Sequence, residues 1–473
     1  MNRGAKGSRS GRSPLQSARG VASTVLHRVA TEGAYAARTL DAELNQAGLD
    51  ERDSRLATEI VYGSLRTLPV LDARIDQQLA RGRPDPYVLA TLRAATYQAL
   101  YLSRVPDHAI VQESVSLVKV KRGEGMSRLA NAVLRRIVEG RPRPSSDDPS
   151  AAPTAPTNER LYVPAWVEQS LVKGLGEERT RAFLTLPGGV PPLALRVRGA
   201  LERPEARLDL MRAIGEATSG ATLALSEPAR DTVLAWGVGD PRKLPGFAEG
   251  LFVVQDEGAN LVGGLVGARP GERVLDACAG RGGKTLQLLE AVGRGGHVTA
   301  VDIHARKLEQ LSEEVRRLGI AGSLETETID FSVGDGGLEA CFDRVLVDAP
   351  CTGLGTIRRR PEILLRLQPR YPGRLADLQL GILRRALRLV RPGGTLVFAV
   401  CSASAEEGAE VLQRLEARAH GIRRLTNSVE GVPLTPDNDG VFRIGPWLGV
   451  GGSLPDVYQV VRWEVLDTVD GGV

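Results

Sequence analysis

Two cysteines stand where short apolar runs end, and their thiols are the groups in this sequence best suited to covalent chemistry. Cys351 lies in FDRVLVDAPCTG (342–353) and Cys401 lies in TLVFAVCSASAEE (395–407). The runs VLV and LVFAV predict buried strands, and parallel strands of an open α/β sheet place their chemistry at the carboxyl ends. We therefore expect both thiols to face one ligand, where a thiolate can act as a nucleophile.

A glycine-rich turn and three strand-end acids accompany the cysteines. RVLDACAGRGGKT (273–285) predicts a strand that runs into the turn, and HVTAVDIH (297–304) predicts a strand that ends at Asp302. Asp330 follows SLETETI, and Asp348 follows the VLV run. A carboxylate such as that of Asp302 is suitably placed to accept hydrogen bonds from ribose hydroxyls. The pattern predicts a nucleotide-type cofactor site beside the thiol pair.

The glycine turn alone leaves the identity of the cofactor open. A phosphate-binding P-loop needs glycine five residues before Gly283, and that position is Cys278, so the turn is not a Walker motif. A dinucleotide fingerprint would need a third small residue where the chain has Thr285. Each acid, taken singly, is also a candidate helix N-cap. Three acids together with the turn favour a cofactor site.

Composition and cysteine usage limit the class of protein. The chain has 473 residues, 42% of them apolar, which predicts more than one globular core. Its four cysteines form no C-x-x-C pair, so we expect neither a metal site nor a disulfide framework. No apolar run approaches the roughly 18 residues of a membrane span, and the first fourteen residues lack a signal-peptide core. We expect a monomeric, cytoplasmic protein without membrane contact.

Positive charge is concentrated in the first part of the chain. Residues 1–140 carry 21 Lys or Arg against 14 Asp or Glu, although the net charge of the whole chain is only +4. Lys and Arg contacts to phosphates supply sequence-independent affinity for nucleic acids. The asymmetry suits a polyanion-binding module attached to an enzyme, although ordinary solvated helix faces would explain it equally well.

Shifts in composition and periodicity divide the chain into five parts. They are a basic tail (1–14), an all-helical domain (15–140), a Pro/Ala/Ser linker (141–158), a small α+β subdomain (159–250) and an α/β domain (251–467). The linker contains five prolines and no large apolar side chain. In the last part, strand-like runs that begin with LFVVQD alternate with helical periodicities. This alternation predicts an α/β fold with a doubly wound, Rossmann-like parallel sheet.

Several segments resemble one known family. CAGRGGKT, VDIHARKL, FDRVLVDAPCTG and AVCSASAEE resemble signature segments of the Sun (Nop/Sun) family of S-adenosylmethionine-dependent RNA cytosine-C5 methyltransferases. SARGVASTVLHRVATEGAYA and NAVLRRIVEG resemble the helical NusB-type RNA-binding domain of bacterial members. The resemblance covers residues 15 to 465. It implies a methyltransferase domain at 251–467 and an RNA substrate, which for members with this front domain is small-subunit (16S) ribosomal RNA.

The resemblance also implies roles for the catalytic residues. Cys401 would be the nucleophile that adds to C6 of cytosine, and Cys351 would assist breakdown of the covalent intermediate. Asp348 would hydrogen-bond the cytosine edge, which makes C6 more electrophilic. Lys284 would support the site by lowering a thiol pKa through its charge.

The cofactor implied by the resemblance is S-adenosylmethionine. Asp302 would take the ribose hydroxyls, Asp330 the adenine amino group, and Asp348 would lie near the methyl donor. The loop expected to hold the methionine end consists of Cys278, Ala279, Gly280, Arg281, Gly282, Gly283 and Lys284. This chain has Ala279-Gly280-Arg281 where the family usually has Ala-Ala-Pro.

The expected RNA contacts and two alternative functions complete the interpretation. Arg358, Arg359 and Arg360 follow the Cys351 loop closely enough to contact RNA phosphates, although a basic run is equally often a solvated face. A transfer RNA remains an alternative substrate. The alternative from another class is a non-catalytic RNA-binding factor of ribosome assembly, against which the two strand-end thiols argue.

Overall fold

The computed structural model divides into two compact units. It describes residues 13–80, 82–140, 160–185, 191–449 and 453–466, so the predicted linker and most of the basic tail lie outside the described residues. The first unit contains the amino-terminal helices together with residues 184–185 and Arg360–Arg366, and the second contains most of the remaining chain. Within the described residues, no helix is long and apolar enough to cross a membrane.

The described part of the first unit is built from α-helices, as the sequence predicts for 15–140. They are α1 (Ala18–Glu32), α2 (Ala36–Ala47), α3 (Glu51–Arg66), α4 (Leu68–Asp76), α5 (Pro86–Tyr101) and α6 (Asp107–Glu139). Gly123, with φ 81°, breaks α6 into two segments. Local signals set the helix ends: the Asp85 carboxylate accepts from the first N–H groups of α5, where Pro86 occupies the first turn. Apolar faces of α1, α3 and α5 pack together as the core.

A small antiparallel sheet opens the second unit. The helices and strands in this part of the chain are α7 (Ala165–Leu175), α8 (Glu177–Leu184), β1 (Leu193–Val197), α9 (Glu205–Ala217), β2 (Thr222–Leu225), β3 (Thr232–Trp236) and β4 (Phe252–Val254). The strand order is β2-β3-β1-β4. The prediction that LFVVQD supplies the first strand of the large sheet is therefore wrong, because β4 within this segment pairs antiparallel with β1.

The large sheet contains the remaining strands, separated mostly by helices. The elements are α10 (Glu257–Val266), β5 (Arg273–Asp276), α11 (Gly283–Val292), β6 (His297–Val301), α12 (Ala305–Leu318), β7 (Ser323–Glu327), β8 (Phe342–Asp348), α13 (Tyr371–Leu387), β9 (Val390–Val400), α14 (Ala409–Glu416), β10 (Ile422–Arg424), β11 (Phe442–Ile444) and β12 (Tyr458–Val465).

The order of these strands places several loops at one edge of the sheet. Strands β9-β8-β5-β6-β7 are parallel, whereas β12 pairs antiparallel with β9 and adds β10 and β11 at its side. Apolar residues of α13 and α14 cover one face, and those of α10 and α11 cover the other. The predicted doubly wound fold is confirmed, with an antiparallel edge added. Chain order reverses at β5, the position where such sheets bind ligands.

Candidate active site

The two predicted thiols meet at the carboxyl edge of the sheet. Strands β8 and β9 are parallel neighbours with Asp348 opposite Ala399, so the loops after them emerge side by side. Cys351 Sγ lies 3.2 Å from Cys401 Sγ, and both side chains are partly exposed. The hydrogen bond with Cys401, together with burial, raises the pKa of the Cys351 thiol well above its usual range. Cys351 therefore holds its proton at neutral pH.

Lys284 and Asp348 form an ion pair at the same edge. Lys284 lies in the first turn of α11, and its Nζ donates to Asp348 Oδ2 at 2.6 Å. The same Nζ lies 5.1 Å from the centre of the Tyr458 ring. Burial lowers the pKa of Lys284, but the attraction of Asp348 more than offsets it, so the pKa is raised. The site thus keeps a fixed positive charge beside a carboxylate.

The glycine turn joins β5 to α11. Gly280 and Gly282 have φ of 59° and 84°, a region that favours glycine. A Cβ on Gly282 would lie 2.2 Å from Leu311 Cδ1, whereas a Cβ on Gly280 or Gly283 would meet nothing within 4 Å. The turn is thus packed on one side and open on the other. Helix α11 begins at Gly283, directly after the turn, and the first N–H groups of a helix have no partner within it and suit a carboxylate.

Asp302 is tied to this turn, and Asp330 is not. The Asp302 carboxylate accepts from the backbone N–H of Gly280 at 3.0 Å and of His304 at 2.8 Å, and it pairs with Lys307 Nζ at 3.1 Å. It is 9% exposed. Asp330 is exposed and accepts from the backbone N–H and hydroxyl of Ser332, and these two hydrogen bonds close a local turn.

Two buried carboxylates that the sequence interpretation did not assign lie beside these groups. Asp276, the last residue of β5, accepts from Thr285 Oγ1 at 2.7 Å, and burial raises its pKa to about 6. Glu407, fully buried, accepts from the residues next to both cysteines, Thr352 and Ser402. In the sequence, the positions of Asp276 and Thr285 on either side of the glycine turn are a signal that could have identified Asp276.

The predicted phosphate contacts of Arg358 and Arg359 are contradicted. Arg358 is 1% exposed, with its guanidinium 6.0 Å from the Phe183 ring, and burial lowers its pKa to about 10. Arg359 pairs with Asp256 at 2.9 Å and with Asp456 at 3.3 Å. Neither guanidinium is presented to solvent as a phosphate contact requires. Arg360 is exposed and remains a candidate contact.

Family models match both parts of the chain. Residues 265–445 match the family described as 16S rRNA methyltransferase RsmB/F, and residues 16–139 match the NusB family. The first match spans the glycine turn and both cysteines. The second spans the helices of the first unit.

Full-length comparisons agree with the family models. The chain is 32% identical over 84% of its length to a probable ribosomal RNA small subunit methyltransferase B of Bacillus subtilis, covering 87% of that protein. It is 33% identical over 83% of its length to ribosomal RNA small subunit methyltransferase B of Pseudomonas putida, again covering 87% of that protein. The crystal structure of PH0851 shares the fold, with a TM-score of 0.77 at 21% identity over 96% of this chain and 99% of that chain. The resemblance drawn from the sequence is confirmed, and the chain belongs to the RsmB/F family of 16S rRNA methyltransferases, with a NusB-family region in front.

Proposed function

We propose that this protein transfers a methyl group from S-adenosylmethionine to C5 of a cytosine in 16S ribosomal RNA, through a covalent adduct at Cys401. One observation carries the cysteine chemistry: two thiols 3.2 Å apart lie at the carboxyl edge of the sheet, on the loops after neighbouring strands. The names of the relatives support RNA of the small subunit as the substrate, in the cytoplasm, where bacterial ribosomes are.

The residues around the glycine turn fit S-adenosylmethionine. The open space beside Gly280 and Gly283, next to the first N–H groups of α11, suits the carboxylate of the methionine end. The Asp302 carboxylate accepts from two backbone N–H groups and, through both oxygens, from Lys307 Nζ at 3.1 and 3.2 Å, so a ribose hydroxyl would take the place of one of the two Lys307 contacts. Asp330 would take the adenine amino group, and Asp348 would lie near the reacting methyl. When bound, the cofactor supplies an electrophilic methyl group carried by a sulfonium.

Cys401 is the residue that activates the base. C5 of cytosine is a poor nucleophile, and addition of a thiolate at C6 converts it into an enamine carbon. Burial and the hydrogen bond with Cys401 raise the pKa of the Cys351 thiol, so Cys351 is the less suitable of the two thiols for attack on the base. The ammonium group of Lys284 contributes favourable charge to this site.

Asp348 and Lys284 orient the target base. The carboxylate of Asp348 would accept from the cytosine edge and favour protonation at N3, which makes C6 more electrophilic. The 2.6 Å bond from Lys284 Nζ to Oδ2 fixes one carboxylate oxygen and leaves the other available for the base. The Lys284–Asp348 pair would thus contribute both to recognition of the cytosine and to activation of its C6.

Cys351 assists release of the product. After methylation, the proton on C5 passes to a solvent water molecule, the electrons of that C–H bond form the C5–C6 double bond, and the bond between C6 and Cys401 Sγ breaks with its electron pair on sulfur. The thiol of Cys351 lies within hydrogen-bond reach of that sulfur and can donate to it as negative charge develops. A thiol that keeps its proton suits this role.

The experiment that tests the proposal is transfer of labelled methyl from S-adenosylmethionine to unmodified 16S rRNA. Wild type should yield 5-methylcytosine, and Cys401→Ala should yield none while binding cofactor and RNA normally. Label in transfer RNA alone would replace the substrate. Absence of label in either RNA, with cofactor and RNA binding intact, would favour a non-catalytic assembly factor.

A further inference from the structure

A buried glutamate lies at the base of the two cysteine loops. Glu407 is 0% exposed, and one carboxylate oxygen, Oε1, accepts from the backbone N–H of Thr352 at 2.8 Å and from Gln379 Nε2 at 3.1 Å. The other, Oε2, accepts from the hydroxyls of Ser402 at 2.6 Å, Ser404 at 3.3 Å and Thr352. Burial of a carboxylate is costly unless it is fully hydrogen-bonded, and here both carboxylate oxygens accept hydrogen bonds.

The donors come from the segments that set the positions of the two thiols. Thr352 directly follows Cys351, and Ser402 directly follows Cys401. Gln379 lies on α13 and also donates to the carbonyl of Pro350, the residue before Cys351. One carboxylate therefore links both cysteine loops to the helix that packs beneath them.

We propose that Glu407 is a positioning residue for the thiol pair, which holds Thr352 and Ser402 in register and thereby sets the separation of Cys351 and Cys401. The catalytic consequence rests on the proposed function, because only a mechanism that uses both thiols needs them this close. Among the described residues, Glu407 forms no hydrogen bond with either thiol, so it acts through the residues next to them.

The charge of Glu407 also acts on the Cys351 thiol. Besides the hydrogen bond with Cys401 and burial, the negative charge of Glu407 contributes to the raised pKa of Cys351. This effect keeps the proton on Cys351, the thiol assigned to product release. Glu407 therefore supports the division of roles in addition to the geometry.

Two substitutions separate geometry from charge. In Glu407→Gln, the amide oxygen can replace Oε1 opposite Thr352 N–H and Gln379, whose hydrogens are fixed, and the amide nitrogen can donate to hydroxyls that rotate. Glu407→Ala removes all of these contacts. The neighbouring Glu406 is only partly buried and accepts from Ser170 at 3.3 Å, so Glu406→Ala is the matched control.

Oxidative crosslinking of the full-length protein without RNA measures the positioning directly. Diamide oxidises two adjacent thiols to a disulfide: two electrons and two protons pass to the reagent, which becomes a hydrazine. Wild type, Glu406→Ala and Glu407→Gln should form the Cys351–Cys401 disulfide at rates within about threefold of each other, and Glu407→Ala about tenfold or more slower, because misaligned thiols rarely reach bonding geometry. Equal rates for Glu407→Ala and wild type would overturn the positioning role.

Alkylation provides a second measurement should Glu407→Ala fail to fold. The rate of iodoacetamide modification at Cys351, followed by peptide mass spectrometry across pH, should have a lower midpoint in Glu407→Gln than in wild type, because a charge that disfavours the thiolate is gone. An unchanged midpoint would overturn the electrostatic part. Both measurements omit RNA, so they can succeed even if methyl transfer fails and the proposed function falls.

Discussion

At the level of single residues, the two thiols differ in their surroundings although their sulfurs touch. The pKa of Cys351 is raised by its hydrogen bond with Cys401, by burial and by nearby carboxylates. Cys401 directly follows β9 and shares the site with Lys284, whose pKa is lowered by burial but raised by a larger amount through its pairing with Asp348. These surroundings support the proposed roles, in which Cys401 attacks the base and Cys351 assists release.

The assignment predicts opposite outcomes for two alanine variants. Cys351→Ala should accumulate a covalent protein–RNA adduct that resists denaturing electrophoresis, because release loses its hydrogen-bond donor. Cys401→Ala should form no adduct, because no thiolate adds to C6. Cys341→Ala, a cysteine away from the pair, is the matched control and should turn over as wild type does. Adduct in Cys401→Ala alone would exchange the two roles.

Asp276 makes folding stability depend on pH. Its pKa rises from 3.8 to about 6 on burial, so the folded state binds the proton more tightly and loses stability as pH rises from about 4 to about 6. Asp276→Asn escapes this penalty and keeps an acceptor for Thr285. The free energy of unfolding of Asp276→Asn, relative to that of wild type, should increase by about 1–3 kcal/mol as pH rises from about 4 to about 6. Urea denaturation at several pH values measures this difference.

Asp343 provides a control of opposite sign. Burial raises its pKa, but the Arg273 N–H and Arg391 together lower it below its ordinary value. Asp343→Asn should therefore become less stable relative to wild type as pH rises through about 4. A pH-independent difference between Asp276→Asn and wild type would mean that Asp276 does not titrate in this range.

At the residue scale, the proximity of the two thiols could be predicted from the sequence because strand ends fix it, whereas the burial of individual charged side chains could not. The cysteine pair follows from two apolar runs, since parallel neighbours bring their carboxyl ends together. Glu407 is one of two adjacent glutamates, and only the folded chain distinguishes the buried one. The Arg358–Arg360 run has the composition of a solvated face, yet Arg358 is enclosed and Arg359 is paired.

At the level of elements, the glycine turn has two sides that substitutions can separate. Gly282→Ala should reduce the free energy of unfolding by roughly 1–3 kcal/mol, because it adds a Cβ at φ 84° against Leu311. Gly283→Ala should change stability by less than about 0.5 kcal/mol, since its Cβ meets nothing within 4 Å and alanine suits a first helical turn.

For cofactor binding, the substitution with the smaller effect on stability, Gly283→Ala, should have the larger effect. The open side of Gly283 is where the proposed methionine end would lie, so Gly283→Ala should weaken S-adenosylmethionine binding about tenfold, or about 1.4 kcal/mol, in titration calorimetry. Unaltered affinity in Gly283→Ala would move the cofactor away from the turn.

Element boundaries were predicted well where periodicity and turn signals agree, and wrongly at β4. Strands β1 and β3 match LALRV and TVLAW residue for residue. LFVVQD has the apolar composition of a large-sheet strand and precedes α10 directly, so the sequence alone favours that sheet. Its pairing with β1 is a long-range choice that composition does not encode.

At the scale of the whole molecule, charge separates the first part of the chain from the rest. Residues 1–140 carry 21 basic and 14 acidic side chains. Helix α6 holds a concentration of exposed basic side chains: Lys119, Lys121, Arg122, Arg128, Arg135 and Arg136. The match of this region to the NusB family and the proposed RNA substrate make α6 the candidate surface for phosphate contacts.

Substituting Lys121, Arg128 and Arg135 together by Gln tests this surface. Among the described residues, none of the three forms an ion pair, so stability should be retained. A plot of log affinity against log salt concentration has a negative slope, to which each phosphate contact contributes about 0.7 for single strands. If all three side chains contact phosphates, the magnitude of this slope for 16S rRNA should decrease by about two. Cofactor binding should not change. Replacing the exposed Arg294, Arg316 and Arg418 of the second unit by Gln is the charge-matched control and should leave the slope intact. An equal decrease of the slope in both triple variants would mean that RNA affinity depends on net charge and not on α6 specifically.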